Sequence, residues 1–183
     1  MLRDIKPYKQ GTLSRWCSVY AVINAVRMLG LELLPSHKAQ DMYDYVSGQL
    51  YVYDALNDVV QYGADGARIE QIIQFARDYL KTAYKKELSF TRPFYNNKLF
   101  FDKLLEYMQQ QREQNKAVII RIRSKDIDHY SVFDCVKGDK LKLFDSDHLP
   151  YIKLNNISHI KDDAKFQLLI RQLYVLELNT KKC

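Results

Sequence analysis

The chain has little of what marks several common classes of protein. Its 183 residues include only six glycines, four prolines and three cysteines, and they contain no repeat and no extended low-complexity tract. The cysteines, Cys17, Cys135 and Cys183, are an odd number at unrelated spacings, which predicts neither a disulfide framework nor a zinc ribbon. We therefore expect the protein to work in a reducing compartment.

Long apolar stretches are missing as well. The first 15 residues lack the apolar core of a secretory signal. The longest apolar region, residues 19–34, is interrupted by polar side chains, whereas a membrane span needs about 20 mostly apolar residues. We expect a soluble protein with no membrane span, either cytoplasmic or delivered by a secretion system that needs no signal peptide.

Motifs for metals, nucleotides and nucleic acids are not found. The sequence has no CxxC, HExxH, P-loop or GxGxxG pattern and no zinc-ligand spacing, so we predict no metal and no cofactor. The 28 basic residues give a net charge of +6, but they are scattered among 22 acidic ones without a basic block. Nucleic acid is therefore not the expected partner, and the oligomeric state stays open.

What is present is enough apolar material, 47% of residues, for one domain spanning residues 1–183. Periodic apolar residues predict a helical part over about residues 1–115. Its helices are 17–29 closed by Gly30, 36–46 capped by Ser36, 54–62 closed by Gly63, 67–84 opened by Asp65 and Gly66, and 97–112 with Phe100, Leu104, Tyr107 and Met108 inward.

From about residue 116 to 183 the sequence is rich in β-branched and aromatic residues, which predicts strands over 117–123, 129–145 and 166–178. Gly138-Asp139 predicts a two-residue hairpin within the second segment. Helices followed by an antiparallel sheet predict an α+β fold with the helices packed on one side of the sheet.

Cys17 lies where a cysteine can become a nucleophile. With Ser14 as a plausible N-cap, Cys17 falls in the first turn of a buried helix, whose free N–H groups and dipole stabilise a thiolate. An imidazole is needed to hold the thiolate and later protonate a leaving group. His129, at the head of a strand, is the best of the four histidines for this role.

The imidazole in turn needs an acceptor that fixes its tautomer, and Asp145 follows His129 by 16 residues at the end of the next strand. Regular pairing about the Gly138 hairpin sets Asp145 opposite Val132, one position out of phase with His129. A single bulge would place it opposite Ser131, on the histidine's face. Asp147 is the rival acid.

A glutamine before a cysteine that opens an apolar helix, then "HY" with an acid 16 residues later, resembles the papain-like cysteine peptidases. The resemblance is to the small bacterial leader-cleaving peptidase domains in particular. It implies a papain-like fold with the nucleophile helix packed on a C-terminal antiparallel sheet. It also implies a triad of Cys17, His129 and Asp145, and an oxyanion hole formed by the Gln10 side chain and the Cys17 backbone N–H.

The resulting hypothesis is a cofactor-independent cysteine hydrolase acting on an amide bond of a peptide or protein, with specificity set around residues 46–65 and 145–165. Two alternatives stay open. The same triad serves glutamine deamidases and acyltransferases of the bacterial effector type, because all pass through a thioester. A papain-like module without chemistry that binds a partner is the second alternative.

The remaining candidates have simpler interpretations. Cys135, in the middle of a strand, is expected in the core, and Cys183 at a frayed terminus. His148 and His159 are expected on a solvated surface, and His37 after a helix cap. Trp16 is expected in the core, with the wall of the site as its alternative position.

Overall fold

A computed structural model of the protein describes residues 6–9, 16–30, 34–95, 100–160 and 164–179. Within them the chain forms an α+β fold of five helices and eight strands. The helices are α1 Cys17–Leu29, α2 Ser36–Val52, α3 Leu56–Tyr62, α4 Gly66–Tyr84 and α5 Phe101–Glu113. The strands are β1 Glu87–Thr91, β2 Ala117–Arg123, β3 Asp128–Lys137, β4 Lys140–Phe144, β5 Tyr151–Lys153, β6 Ile157–Ser158, β7 Phe166–Leu168 and β8 Tyr174–Asn179.

Helices α1, α3 and α4 agree with the apolar periodicity and with the residues predicted to begin or end them. All thirteen residues of α1 are buried, and Gly30 follows its last residue. The Asp65 carboxylate accepts a hydrogen bond from the Arg68 N–H at 2.8 Å, which caps α4. Gly63 ends α3 with a φ of 75°, a conformation that favours glycine. The predicted cap Ser14 lies outside the described residues.

Three predicted helices have different bounds, of which α3 differs least, since it begins at Leu56 and not at residue 54. Ser36 is the first residue of α2 and not its cap, since Pro35 holds the N-cap position, and α2 continues to Val52 instead of ending at residue 46. Helix α5 begins at Phe101, and Phe100 is 85% exposed where an inward position was expected. Helix ends are decided by a few local hydrogen bonds, which apolar periodicity does not reveal.

The sheet has the order β1-β8-β2-β3-β4-β5, and β7 also pairs with β2 beside β8. The main strand pairs are antiparallel, and β6 and β7 pair in parallel. Strand β1 was not predicted, and it brings a segment of the expected helical part into the sheet next to β8. The predicted strand over 166–178 is wrong in one respect, because a 3-10 turn over residues 170–172 divides it into β7 and β8.

Helices cover both faces of the sheet, contrary to the expectation of one side. Alternate residues of β2 face two different cores: Ala117 and Ile119 pack in the cluster that contains α1, α2 and α4. Val118, Ile120 and Ile122 pack in a second cluster with Leu104 and Met108 of α5. The uninterrupted apolar run of β2 is typical of a strand buried on both faces.

The β3–β4 hairpin contains a bulge. Phe133 pairs with Leu143 and Cys135 with Lys142, so Asp134 is the extra residue on β3. The last pair is Val132 with Phe144, and Asp145, the next residue, therefore comes level with Ser131. The register that the sequence allowed with one bulge is confirmed.

No helix among the described residues is both long and apolar enough to cross a membrane.

Candidate active site

Three residues far apart in the sequence meet where α1 contacts the sheet. Cys17 is the first residue of α1, His129 the second residue of β3, and Asp145 follows β4 directly. Each position follows from its element: α1 is held by burial on all sides, and the Gly138 hairpin with its bulge brings Asp145 beside His129. The structure thus brings together the three predicted site residues that it describes.

His129 and Asp145 form a buried ion pair. The Nε2 atom of His129 lies 2.6 Å from Asp145 Oδ2, and their side chains are 8% and 2% exposed. The other carboxylate oxygen, Oδ1, accepts from the backbone N–H groups of Asp147 at 2.7 Å and Leu149 at 3.2 Å. Because a carboxylate only accepts hydrogen bonds, Nε2 carries a proton. Nδ1 is therefore the ring nitrogen that is available for proton transfer. Asp147, the rival acid, contributes a backbone N–H, and its own side chain is exposed.

The electrostatics of the pair favour the charged forms. Burial by itself lowers the pKa of His129, but its contacts with Asp145 and Cys17 and the charges of both raise that pKa to about 10. Burial raises the pKa of Asp145, and the hydrogen bond and charge of His129 outweigh it and lower that pKa below its usual range. The imidazolium is therefore the expected form of His129 at neutral pH.

The sulfur of Cys17 accepts a hydrogen bond from the backbone of β3. The backbone N–H of Tyr130 donates to Sγ at 3.5 Å, at a point on β3 beyond the last pair with β4. The first hydrogen bond of the α1 ladder runs from the Tyr20 N–H to the Trp16 carbonyl, so the N–H groups of the first turn have no acceptor inside the helix. Gln10, the predicted oxyanion residue, lies outside the described residues.

Cys17 is only 5% exposed, yet it borders an open cleft of about 480 Å³. One wall is the α3–α4 connection, residues 62–64, and the other is the β2–β3 connection and the start of β3, residues 126–130. A second cleft of about 560 Å³ continues from it toward the start of α4, and the two share residues 62–64 and Arg121. Asp58, residues 62–65 and Asp147 line the two clefts and belong to the segments 46–65 and 145–165 to which specificity was assigned. Residues 126–128 also line the cleft and were not anticipated.

Sequence reasoning also missed the polar residues around the start of β3. Arg121, Asp128 and Gln172 form a hydrogen-bonded group beside His129. A signal for Arg121 was present, because a charged residue in the middle of the apolar segment "AVIIRIR" requires a partner. Neither Asp128 nor Gln172 carries such a signal, since the first lies in a polar turn and the second in a mixed segment.

The other candidates lie away from this group. Cys135 is half-buried and not in the core as expected, and it lies beyond Phe133, the last residue of β3 that pairs with β2. His37 and His148 are exposed, while His159 is half-buried and stacks on Phe101 with ring centres 5.8 Å apart, which corrects the expectation of a solvated side chain. Trp16 is buried in the core at 5% exposure. Cys183 lies outside the described residues.

Among the described residues, no group of three or more His, Cys, Asp or Glu side chains is placed to hold a metal ion. The sequence matches no model of a known protein family and no curated protein. The geometry of the site therefore carries the functional argument.

Proposed function

We propose that the chain is a papain-like cysteine hydrolase that cleaves an amide bond, and that it acts as a peptidase. The observation that carries the proposal is the position of His129, a buried imidazole that contacts Asp145 through Nε2 at 2.6 Å and lies next to the Tyr130 N–H that reaches the Cys17 sulfur at 3.5 Å. The order Cys17, His129, Asp145 and the nucleophile helix packed on the sheet support the papain-like assignment.

Each proton transfer in such a reaction can be assigned to named atoms. The Cys17 thiolate attacks the carbonyl carbon, and the protonated His129 gives its Nδ1 proton to the leaving amine as the carbon–nitrogen bond breaks. Neutral Nδ1 then takes a proton from a water molecule, which attacks the thioester and releases the acid and the Cys17 sulfur. Asp145 stays ionised throughout and holds Nε2–H.

Charge that develops on the carbonyl oxygen has donors available. The N–H groups of the first turn of α1 have no acceptor inside the helix, and we expect them to face the carbonyl oxygen during the attack. The Cys17 N–H is one of them, and the Gln10 amide is proposed as the second donor on the strength of the resemblance. Donors of this type are worth about 2.7–4 kcal/mol in the transition state.

The proposed substrate is a peptide or protein segment that lies along the two continuous clefts. The clefts run from Cys17 past residues 62–64 to the start of α4, which gives an extended chain a path that reaches the nucleophile. Residues 62–64 and 126–128 are then the walls that contact side chains near the scissile bond.

Alkylation of Cys17 by iodoacetamide as a function of pH tests the nucleophile. A thiolate held by an imidazolium stays reactive well below pH 7, whereas an ordinary thiol does not. We expect Cys17 to be modified at pH 6 in the wild type and in C135S, the matched control for the other described free cysteine, and not in H129A. Modification of Cys17 that fades below pH 8 in all three proteins would contradict the proposal.

Mass spectrometry of products identifies the reaction. Incubation with a peptide library and with whole protein extracts should give cleaved fragments that disappear in C17S. A mass gain of one unit without cleavage would indicate a glutamine deamidase, and a mass gain of an acyl group an acyltransferase. A reactive Cys17 with no product of any of these kinds would favour the non-catalytic binding module.

A further inference from the structure

A group of polar residues holds the start of β3 from the side of β2. Arg121 lies opposite Tyr130 in the β2–β3 ladder. Its Nε and Nη2 atoms donate to the two carboxylate oxygens of Asp128 at 2.5 and 2.8 Å, a bidentate pair. Its Nη1 atom donates to Gln172 Oε1 at 2.7 Å.

Tyr130 belongs to the same group. Its hydroxyl donates to the same Gln172 oxygen at 2.6 Å, and the Arg121 guanidinium lies 5.1 Å from the centre of its ring. Gln172 comes from the 3-10 turn that separates β7 from β8, so the group ties three segments of the sheet together.

Asp128 and Tyr130 are the two neighbours of His129 in the chain, and Arg121 contacts both. The Tyr130 backbone also supplies the N–H that reaches the Cys17 sulfur. A shift at either neighbour therefore moves the imidazole, the N–H donor, or both. The Arg121 side chain is 13% exposed and that of Asp128 is 38% exposed, so the guanidinium is largely buried while its carboxylate partner is partly open to water.

Arg121 lines the cleft, which raises the alternative that it binds the substrate. However, all three of its guanidinium nitrogens already donate to Asp128 or Gln172. A planar guanidinium held by a bidentate pair and placed over an aromatic ring has one favoured geometry. Its contacts suit a structural support beneath the site.

We propose that Arg121 is a positioning residue, which fixes Asp128 and Tyr130 and thereby holds His129 and the Tyr130 N–H against the Cys17 sulfur. The inference rests on the proposed cysteine hydrolase function and names a residue on which that function depends. Arg121 touches none of the reacting atoms itself.

The test compares R121K with R123K. Both arginines pair with Asp128, but Arg123 has a 48% exposed side chain and does not line the cleft. Lysine keeps the charge and loses the bidentate geometry. Because small displacements of catalytic groups cost up to a hundredfold in rate, we expect R121K to slow alkylation of Cys17 at pH 6 about tenfold. R123K should stay within about twofold of the wild type.

A second variant, Q172L, removes the acceptor that Arg121 and Tyr130 share without changing either residue. We expect it to slow alkylation at pH 6 in the same direction as R121K, and to lower kcat more than it changes KM once a substrate is found. Circular dichroism and the Tm of each variant show whether it is folded, and Q172L serves if R121K does not fold.

The outcomes distinguish a failure of the positioning role of Arg121 from a failure of the proposed cysteine hydrolase function. A wild-type Cys17 that is unreactive at pH 6 would overturn the proposed function and this inference together. A reactive wild type with folded R121K and Q172L proteins that alkylate at the wild-type rate at pH 6 would overturn this inference alone.

Discussion

At the scale of single residues, the pair of His129 and Asp145 shows which of two opposed effects prevails. Burial of both side chains disfavours their charged forms, and an unpaired charge at this depth would be strongly destabilising. One hydrogen bond of 2.6 Å together with two backbone N–H donors to Asp145 reverses that preference. The pair is therefore both a functional device and a pH-dependent contribution to stability.

Replacement of Asp145 by asparagine should lower the free energy of unfolding by about 1.5–3 kcal/mol at pH 6, because a charge-assisted hydrogen bond is lost. The raised pKa of His129 makes its contribution complete below about pH 6.5 and removes it as pH rises toward about 10. The lowered pKa of Asp145 makes its contribution present above about pH 4 and removes it in acid. Thermal melts of wild type and D145N should therefore differ most between about pH 4 and 6.5.

The control for this measurement is D147N, which changes the neighbouring exposed carboxylate and leaves the backbone N–H to Asp145 in place. Its stability should stay within about 0.5 kcal/mol of the wild type. A D145N protein whose difference from wild type is the same at pH 5 and pH 9 would show that the buried ion pair does not form.

At the scale of elements, the β3–β4 hairpin decides which aspartate meets His129. Without the extra residue Asp134, Asp145 would lie opposite Val132 and point away from the imidazole. The bulge therefore places the Asp145 side chain on the same face of the hairpin as His129. Helix α1 contributes on the other side, because complete burial holds its first residue, Cys17, at a fixed distance from β3.

The connection between α3 and α4 depends on the backbone conformation of Gly63, which adopts φ 75° and ψ −175° beside the cleft. A side chain is strained there, so G63A should destabilise the protein by about 1–3 kcal/mol in urea unfolding. Gly48 lies within α2 with open space around the position of a Cβ. G48A should therefore stabilise the protein by about 0.5–1 kcal/mol. If G63A and G48A changed the free energy of unfolding equally and in the same direction, the left-handed backbone conformation of Gly63 would be contradicted.

At the scale of the whole molecule, the sheet joins two apolar cores. Helix α1 packs against β2, β3 and β8 and also against α2 and α4, while α5 covers the opposite face. Strand β2 contributes side chains to both cores, so neither core can lose its packing without exposing part of this strand. The two predicted parts of the chain are thus expected to unfold together.

Single substitutions in each core test this expectation. L80A in the first core and L104A in the second remove fully buried side chains, and each should cost about 2–5 kcal/mol. Both variants should lower the midpoint of one common transition, seen alike in far-ultraviolet circular dichroism and in the fluorescence of Trp16, the only tryptophan. A variant that splits the two signals into separate transitions would show two independently folding units.

Much of this architecture could be predicted from the sequence. The apolar run after Cys17, the stripe of α4 with its Asp65 cap, and the Gly138-Asp139 hairpin depend on residues a few positions apart, and the structure confirms them. The candidate residues Cys17, His129 and Asp145 were recognised because each lies at the end of such an element. Local periodicity and local turn chemistry are properties that a sequence displays directly.

The tertiary structure alone decided the rest. The bulge at Asp134 gives one of the two registers that the sequence permitted. The position of α5 on the second face of the sheet also appears only in the folded chain, where Leu104 and Met108 pack with alternate residues of β2. Strand β1 exists because β8, some ninety residues later in the chain, offers it a partner. The contacts of Arg121 and Tyr130 with Gln172 likewise join segments that are 51 and 42 residues apart in the chain, and their proximity depends on the pairing of β7 and β8 with β2. Pairings between distant segments depend on how the whole chain closes, and no local pattern of residues encodes that.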